Sequence, residues 1–167
     1  GNNPKRLVFE QFVLAGYFDQ VLEAANIRLH KMTGGRYVLS RMMEVVDGRS
    51  KDNFELQVLD HNTGKKRPAK TLSGGETFKV SLSLALGMSD IVQAANGGVK
   101  VETLFIDEGF GSLDSQSWDQ ACETLNSLVE KERFIGIISH VQELKERIPR
   151  QLSITRTHDG SSVNVIV

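Results

Sequence analysis

The first part of the chain has apolar residues at helical spacing. Between residues 5 and 32 they recur at steps near three and four, which predicts one long helix. Gly34 and Gly35 follow, and glycines are typical of the position just past a helix C-terminus. Its length of about 28 residues exceeds the average helix of about 11–12 residues. Two interpretations stay open: the root of a coiled coil, or an amphipathic helix that covers a sheet.

Two strand-like segments and a basic segment come next. Residues 36–46 and 53–60 predict strands, and in the second segment apolar and polar side chains alternate as in a half-buried strand. A turn is predicted at residues 61–64. The basic side chains after it predict a loop that is either solvated or in contact with a phosphate backbone. They are Lys65, Lys66, Arg67 and Lys70, around Pro68.

The second half of the chain alternates between apolar runs and amphipathic segments. Strand, helix, strand, helix between residues 101 and 148 predicts an α/β class with a right-handed parallel βαβ unit. Its first strand ends in an apolar run that is typical of a central parallel strand. A closing antiparallel hairpin is predicted around residues 158–160. The predicted helices cover residues 75–95, 115–131 and 141–148, and the predicted strands cover residues 101–107, 134–138, 150–157 and 161–167.

Composition narrows the class of protein. The chain has 167 residues, which suits one domain with a sizeable core. Its net charge of -1 does not indicate a nucleic-acid-binding protein, so any such surface would be a local patch. Cys122 is the single cysteine, which excludes an internal disulfide and fits a reducing compartment. No apolar run approaches the roughly 18 residues of a membrane span. Because the first residue is not Met, we expect a piece of a longer protein.

Ser73 and Glu76 have the spacing of a capping box at the start of a predicted helix. Gly74 and Gly75 lie between them, although a glycine inside a helix costs about 1 kcal/mol relative to alanine. Helix stability alone does not account for two glycines, whereas close approach of the backbone to a ligand does. Since the bare amides of a helix N-terminus bind phosphate oxygens, the segment indicates a phosphate site, with a well-capped helix as the alternative.

Acidic side chains follow the first parallel strand. Asp107 and Glu108 come at its carboxyl end, where ligands bind in parallel sheets. In phosphoryl-transfer sites such an Asp helps to hold Mg²⁺, and a following Glu can orient and deprotonate the attacking water. Asp114 can cap the next helix. The alternative is a pair of acids that opens a surface loop.

His140 follows Ser139 just after the second parallel strand. The carboxyl ends of parallel strands meet at one edge of a sheet, so His140 is expected near Asp107. There it can donate to a terminal phosphate or to the lytic water. A lone histidine in such a place is more often structural, and both interpretations stay open.

In this order and spacing the motifs resemble the second half of an ABC-type ATPase head. Residues 71–76 resemble its signature, residues 104–108 its Walker B strand with the catalytic glutamate, residues 111–114 its D-loop, and His140 its switch histidine. Three longer stretches, TLSGGETFKVSLSLALGMSD, LFIDEGFGSLD and ISHVQELKERIP, resemble the SbcC family. That family comprises the ATPase subunits of bacterial SbcCD nucleases, with archaeal and eukaryotic counterparts in DNA double-strand-break repair.

The resemblance implies the C-terminal lobe of an ABC-type ATPase head, with a parallel βαβ core flanked by helices. The stretch LEAANIRLHKMTGGRYVL resembles the point where a coiled coil re-enters such a head. Residues 1–35 are therefore expected to form the coiled-coil root, and residues 36–167 the lobe. In the family two heads pair, and each ATP lies between the phosphate loop of one head and the signature of the other.

The resemblance also implies roles for the candidate residues, with ATP and Mg²⁺ as cofactors. Glu108 and His140 would be catalytic on the nucleotide of their own head, and Asp107 would hold Mg²⁺, directly or through water. The γ-phosphate of the partner head's ATP would be contacted in trans. The residues implied in that contact are Ser73, Gly74, Gly75 and Glu76, with Asp114 in the D-loop.

The implied function is control of a DNA double-strand exonuclease and endonuclease complex in repair and recombination. The implied partners are a second ATPase head, an SbcD-like nuclease subunit and double-stranded DNA, with no membrane, in the bacterial cytoplasm at the nucleoid. The chain departs from the complete head in lacking a G-x-x-x-x-G-K-S/T phosphate loop. By itself it is therefore expected to hydrolyse no ATP.

Two alternatives stay open. One is another chromosome ATPase of the SMC, RecF or RecN kind that acts in DNA tethering, because the signature does not separate these groups. The other is a non-enzymatic interaction module that docks through the helix of residues 5–32. A transporter subunit is a poorer match, since the long first helix is unlike that family and no membrane segment is present.

Overall fold

Helices and strands alternate along the part of the chain that the computed structural model describes, which is residues 9–42, 54–95, 97, 102–107, 109–129, 134–158 and 160–166. Within these residues the helices are α1 (Phe9–Thr33), α2 (Gly74–Ala95), α3 (Ser115–Val129) and α4 (Gln142–Arg147). The strands are β1 (Tyr37–Arg41), β2 (Leu56–Asp60), β3 (Lys65–Pro68), β4 (Thr103–Asp107), β5 (Phe134–Ile138), β6 (Gln151–Thr157) and β7 (Gly160–Ile166). Short 3-10 turns, Ala69–Thr71 and Phe110–Ser112, precede α2 and α3.

The described strands form three small sheets. β1, β2 and β3 make an antiparallel meander, β4 and β5 pair in parallel with α3 between them in sequence, and β6 and β7 form an antiparallel hairpin. The predicted α/β class, the parallel βαβ unit and the closing hairpin are confirmed. The predicted element positions at residues 5–8, 43–46, 53, 101, 130–131 and 167 lie outside the described residues.

The C-terminal half of α1 is a core helix. Ala25, Leu29 and Met32 are each 0% exposed. The Asn26 side chain donates to the backbone oxygen of Leu39 at 2.9 Å and accepts from the Leu39 amide at 2.8 Å, which fastens α1 to β1. This half of the helix therefore covers the antiparallel sheet, as one of the two interpretations predicts. The coiled-coil root at residues 1–35 stays a prediction.

The core has two parts that share α1 and α2. One part packs α3, α4 and the turn before α3 against the parallel pair, and the other packs the antiparallel sheet. The first contains Met32, Leu82, Leu86, Phe110, Trp118, Ala121, Leu125 and Leu144, and the second contains Leu22, Leu29, Tyr37, Leu39, Val58 and Val80. Because α2 contributes to both, it is fixed between the two sheets.

Gly87 lets α1 and α2 approach closely. A Cβ built on Gly87 would lie 2.7 Å from the backbone oxygen of Val21 and 2.8 Å from the backbone nitrogen of Ala25. Real Cβ atoms do not come this close to backbone, so a larger residue would force the helices apart. The small residues at this crossing therefore set the distance between the two helices.

The basic segment is a strand, which corrects the predicted loop. β3 pairs with β2 over four residues, from Gln57↔Pro68 to Asp60↔Lys65. Ladder pairing uses backbone amides and carbonyls, so a strand at the edge of a sheet needs no alternation of apolar side chains. Lys65 and Lys66 are exposed, whereas Arg67 is half-buried.

The parallel pair is more exposed than a central strand would be, which corrects a second expectation. Leu104 and Ile106 on β4 pack against the core, but Phe105, between them, is 70% exposed. Alternate residues of a strand point to opposite faces, and among the described residues only one face of this sheet is covered. No helix in the described part of the chain is long and apolar enough to cross a membrane.

Candidate functional site

The signature-like segment forms a capped helix start. α2 begins at Gly74, directly after Ser73. The Ser73 amide donates to Oε2 of Glu76 at 2.9 Å, and the Glu76 amide donates to Oγ of Ser73 at 3.4 Å, so the predicted capping box is confirmed. The first amides of a helix have no acceptor within the helix. The two glycines therefore bring bare donors to a helix start that is exposed at Gly74.

Two further elements hold the Glu76 carboxylate. The Tyr37 hydroxyl, on β1, donates to Oε1, and Nη2 of Arg67, on β3, donates to Oε2 at 3.2 Å. Nη1 of Arg36 lies 3.9 Å from Oε1. We refer to Arg36, Tyr37, Arg67 and Glu76 as the Glu76 clamp, because together they join the antiparallel sheet to the start of α2.

The clamp keeps Glu76 ionised. Burial by itself raises the pKa of this carboxyl, but hydrogen bonds from Tyr37, the Ser73 amide and Arg67 outweigh it and lower the pKa to about 2. A glutamate in an unfolded chain has a pKa of about 4.3. The clamp therefore stabilises the fold fully above that pH and loses this contribution as the pH falls toward 2. Burial and the bond to Glu76 raise the pKa of Tyr37, so its hydroxyl stays protonated and remains a donor.

The arginines of the clamp are anchored elsewhere. Nη2 of Arg36 donates to Oδ2 of the buried Asp60 at 2.9 Å, and its guanidinium carbon lies 4.7 Å from the centre of the Tyr37 ring. The ion pair with Arg36 lowers the pKa of Asp60, although burial opposes this. Nη1 of Arg67 donates to the backbone oxygen of Thr71 at 2.7 Å, in the turn before α2. Sequence reasoning assigns no site role to Tyr37 or Arg36 and predicts Arg67 in a basic loop.

A cavity of about 470 Å³ opens beside the start of α2. Lys79, one turn into α2, lines this cavity, and its Nζ donates to Oε1 of Gln120 on α3 at 3.0 Å. Burial lowers the pKa of Lys79, while the charges of Asp114 and Glu76 oppose the shift. Sequence reasoning misses Lys79, although it lies three positions after Glu76 on the same helix face. The other residues that line this signature cavity are Thr33, Arg36, Tyr37, Ser73, Gly74, Gly75, Glu76, Asp114, Ser117 and Gln120.

Asp114 lies at the signature cavity as the cap of α3. Its Oδ1 accepts from the Ser117 amide at 2.7 Å, and its backbone oxygen accepts from the Trp118 amide at 2.9 Å. The predicted capping role is confirmed. The D-loop-like residue and the signature-like turn are thus brought to one cavity from two different helices.

Asp107 lies at the carboxyl edge of the parallel pair. It pairs in register with Ile138, and Ser139 and His140 follow directly. Asp107 and His140 are both exposed at this edge, which confirms their predicted placement. Glu108 lies outside the described residues, so its role stays a prediction from sequence.

Asp107 lines a second cavity, of about 410 Å³, together with Gly74, Thr77, Ser81 and Gly109. Among the described residues there is no cluster of three or more metal-ligating side chains. Mg²⁺ keeps several waters and takes one or two carboxylates plus substrate phosphates, so one aspartate at a strand end fits a magnesium ion that is held jointly with a nucleotide. The start of α2 lies between the two cavities, because Gly74 lines both.

Gly109 shapes the loop that leaves β4. Its φ of 94° lies in the left-handed region, and a Cβ there would lie 2.7 Å from the Phe78 ring. Phe110 then packs between Phe78 and Trp118, with ring centroids 4.6 and 4.8 Å apart. The loop between the two acidic positions is therefore fastened to α2 and α3.

Curated relatives named for the SbcC component of the nuclease SbcCD match almost the whole chain. The relative from Vibrio cholerae is 49% identical over 99% of this chain, and the relative from Treponema pallidum is 47% identical over 98%. The relative from Staphylococcus haemolyticus is 47% identical over 93% of this chain. The chain spans 15–16% of the length of these relatives.

Solved structures of SMC heads share this fold at low identity. A structure from work on ATP-driven dimerisation and DNA-stimulated activation of SMC ATPases has a TM-score of 0.69 and 11% identity, over 94% of this chain and 89% of that one. The SMC head domain from Thermotoga maritima has a TM-score of 0.60 and 16% identity, over 95% of this chain and 51% of that one. The predicted fold of an ATPase-head lobe is confirmed.

The family model described as "SbcC/RAD50-like, Walker B motif" matches residues 43–127, about half of the chain. The matched segment contains the capped helix start at Ser73, the strand that ends at Asp107 and the α3 cap at Asp114. The chain therefore belongs to the SbcC/RAD50-like, Walker B family.

Proposed function

We propose that this chain supplies the C-terminal half of an ATP-hydrolysing head that controls a DNA nuclease in double-strand-break repair. The observation that carries the proposal is the signature cavity, where a glycine-rich helix start, Lys79 and the α3 cap Asp114 converge. No phosphate loop is present in the sequence to fill this cavity from within. Its ligand is therefore a nucleotide brought by a second head.

The helix start suits the γ-phosphate of that nucleotide. Ser73 Oγ accepts one bond from the Glu76 amide and keeps its own proton and a second lone pair. Its hydroxyl and the bare amides of Gly74 and Gly75 can donate to phosphate oxygens, and the helix dipole favours a negative charge there. Lys79 adds a full positive charge in the same cavity. Glu76 itself is occupied by the clamp, so its part in the contact is to support Ser73.

The second cavity suits the chemistry on the chain's own nucleotide. Asp107 would hold Mg²⁺, which when bound neutralises charge on the phosphates. Glu108 would take a proton from the attacking water as general base. His140, at the same sheet edge, would donate to the terminal phosphate or orient the water. Two cavities for one chain agree with two ATP molecules shared between two heads.

Glu108→Gln in the full-length protein is expected to lower ATP turnover at least about 100-fold while ATP-bound, paired heads accumulate. An amide cannot accept the proton of the lytic water, and general-base catalysis is worth about 10²–10⁴-fold. Steady-state hydrolysis and crosslinking of heads in ATP measure the two effects. Glu102→Gln, at an exposed position just before the same strand, is the matched control and should keep normal turnover. Normal turnover in Glu108→Gln would reject Glu108 as the base.

The nuclease subunit is proposed to dock in an apolar groove along α1. The groove has a volume of about 440 Å³ and lies between α1, α2 and Phe54. Exposed apolar patches of this kind mark protein-binding sites, and Leu14 and Tyr17 are 56% and 51% exposed. The names of the relatives support a nuclease as the occupant. The groove is lined by Leu14, Tyr17, Phe18, Val21, Phe54, Leu84, Ala85 and Met88.

Tyr17→Glu is expected to weaken binding of the nuclease subunit to the full-length protein at least about tenfold. A carboxylate buried in an apolar interface without a partner loses several kcal/mol, and aromatic residues often dominate such interfaces. Titration calorimetry or co-purification measures the affinity. Gln20→Glu adds the same charge on an exposed part of α1 outside the groove and should leave affinity unchanged. Equal affinities of the two variants would place the docking site elsewhere.

Double-stranded DNA is the third proposed partner, and the bacterial nucleoid is the proposed place of action. Of the basic side chains on β3, Arg67 is committed to the clamp. Lys65 and Lys66 are exposed and remain available for a phosphate backbone. The relatives' names favour nuclease control over DNA tethering by another type of chromosome ATPase.

A further inference from the structure

We infer that Tyr37 and Arg67 are positioning residues for Ser73, acting through Glu76. This inference rests on the proposed function, in which Ser73 contacts the γ-phosphate of the partner head's ATP. Tyr37 and Arg67 do not themselves touch the nucleotide. They hold the carboxylate that in turn holds the serine.

The Glu76 carboxylate is fixed at both oxygens by different elements. Oε1 accepts from the Tyr37 hydroxyl on β1, and Oε2 accepts from Arg67 on β3 at 3.2 Å. Oε2 also accepts from the Ser73 amide at 2.9 Å. In an ordinary capping box the carboxylate is free to swing around its own helix. Here its plane is set by the sheet, so the Ser73 backbone is pinned relative to the sheet as well.

The two outer residues are themselves immobile. Tyr37 is 3% exposed and packs in the second part of the core with Leu39 and Val58. Arg67 pairs in register with Val58 and also bonds the backbone of Thr71, inside the short turn that leads to Ser73. The sheet therefore acts as a platform that holds both ends of the segment between β3 and α2.

The clamp also cancels a charge that would oppose phosphate binding. A carboxylate three residues from Ser73 would repel a nucleotide at the helix start. The guanidiniums of Arg67 and Arg36 lie 3.2 and 3.9 Å from its oxygens and offset that charge. Binding sites require atoms within about 0.5 Å of the productive geometry, so both position and charge compensation matter for a contact made between two molecules.

Tyr37→Phe in the full-length protein removes one hydroxyl and leaves the ring packed. ATP-driven pairing of heads is expected to weaken about tenfold or more, the loss expected for one hydrogen bond to a charged group. ATP binding to the chain's own head, measured at a protein concentration where heads are unpaired, should not change. Arg67→Gln should weaken pairing further, because it removes both a bond and a compensating charge. Arg67→Lys, which keeps the charge, should restore part of the loss.

A matched control separates positioning from simple stability. Asp19→Asn breaks the ion pair of 2.6 Å between Asp19 and Arg41, at the other end of β1, outside the signature cavity. It should lower the melting temperature and leave pairing in ATP at the wild-type value. The inference is overturned where Tyr37→Phe and Arg67→Gln pair like the wild type, or lose pairing only in proportion to their unfolded fraction.

Ser73→Arg in the same assay distinguishes this inference from the proposed function. Where Ser73→Arg abolishes pairing and the clamp variants do not weaken it, the positioning inference alone fails. Where Ser73→Arg pairs normally, the proposed function fails, and the clamp is only a structural support of α2.

Discussion

Ser73→Arg in the full-length protein is expected to abolish ATP-driven pairing of heads, with the apparent affinity falling more than about 100-fold. The change removes the helix cap, worth about 0.5–2 kcal/mol, and forces a long side chain into the signature cavity, where overpacking costs about 1–3 kcal/mol. The serine donor to the partner's phosphate is lost as well. About 2.8 kcal/mol corresponds to 100-fold, so the combined effect exceeds that limit.

Size-exclusion chromatography with light scattering, in ATP and Mg²⁺, measures this pairing. Asn62→Arg is the control, since it places the same side chain on an exposed turn outside the signature cavity. ATP binding by the unpaired head should stay normal in both variants. Intact pairing of Ser73→Arg would favour the alternative of a non-enzymatic interaction module.

Gly87→Ala is expected to destabilise this chain by about 2–3 kcal/mol, the opposite of the usual effect of this substitution in a helix. Alanine normally stabilises a helix interior by about 1 kcal/mol relative to glycine. At Gly87 the new methyl group would meet backbone atoms of Val21 and Ala25 at 2.7 and 2.8 Å, and backbone cannot move aside as a flexible side chain can. The helices must separate, which loosens both parts of the core.

Urea unfolding followed by fluorescence of the buried Trp118 measures this loss, because Trp118 shares a core with α2. Gly16→Ala is a matched control: it is also a glycine in a helix, here α1, and a Cβ there meets no atom within 4 Å. It should stabilise the chain by up to about 1 kcal/mol. The same stabilising sign at both positions would falsify the close crossing of α1 and α2.

Local patterns predict most of the elements. The helices and six of the seven described strands follow apolar periodicity and lie close to their predicted bounds. The pattern of β3 predicts a loop, because its side chains show basic character and no alternation. It is a strand through its backbone pairing with β2, and a partner strand is not visible in the segment's own side chains.

The candidate site divides in the same way. The capping bonds of Ser73 and Asp114 join residues three positions apart and are predictable from spacing. Tyr37 and Glu76 are 39 positions apart, and their contact exists because β1 and β3 lie in one sheet beside α2. Lys79 is visible in the sequence as a helix neighbour of Glu76, but the cavity that gives it a role is closed by α3.

The sequence by itself determined the helices, the capped start at Ser73, and the placement of Asp107 and His140 at one sheet edge. These follow from periodicity and from short-range hydrogen bonds, which involve residues a few positions apart. Only the tertiary structure decided that Ser73 and Asp107 line different cavities, that Arg67 belongs to Glu76, and that Gly87 sets a helix crossing. Those features depend on which distant segments pack together, and that depends on the summed packing of the whole core.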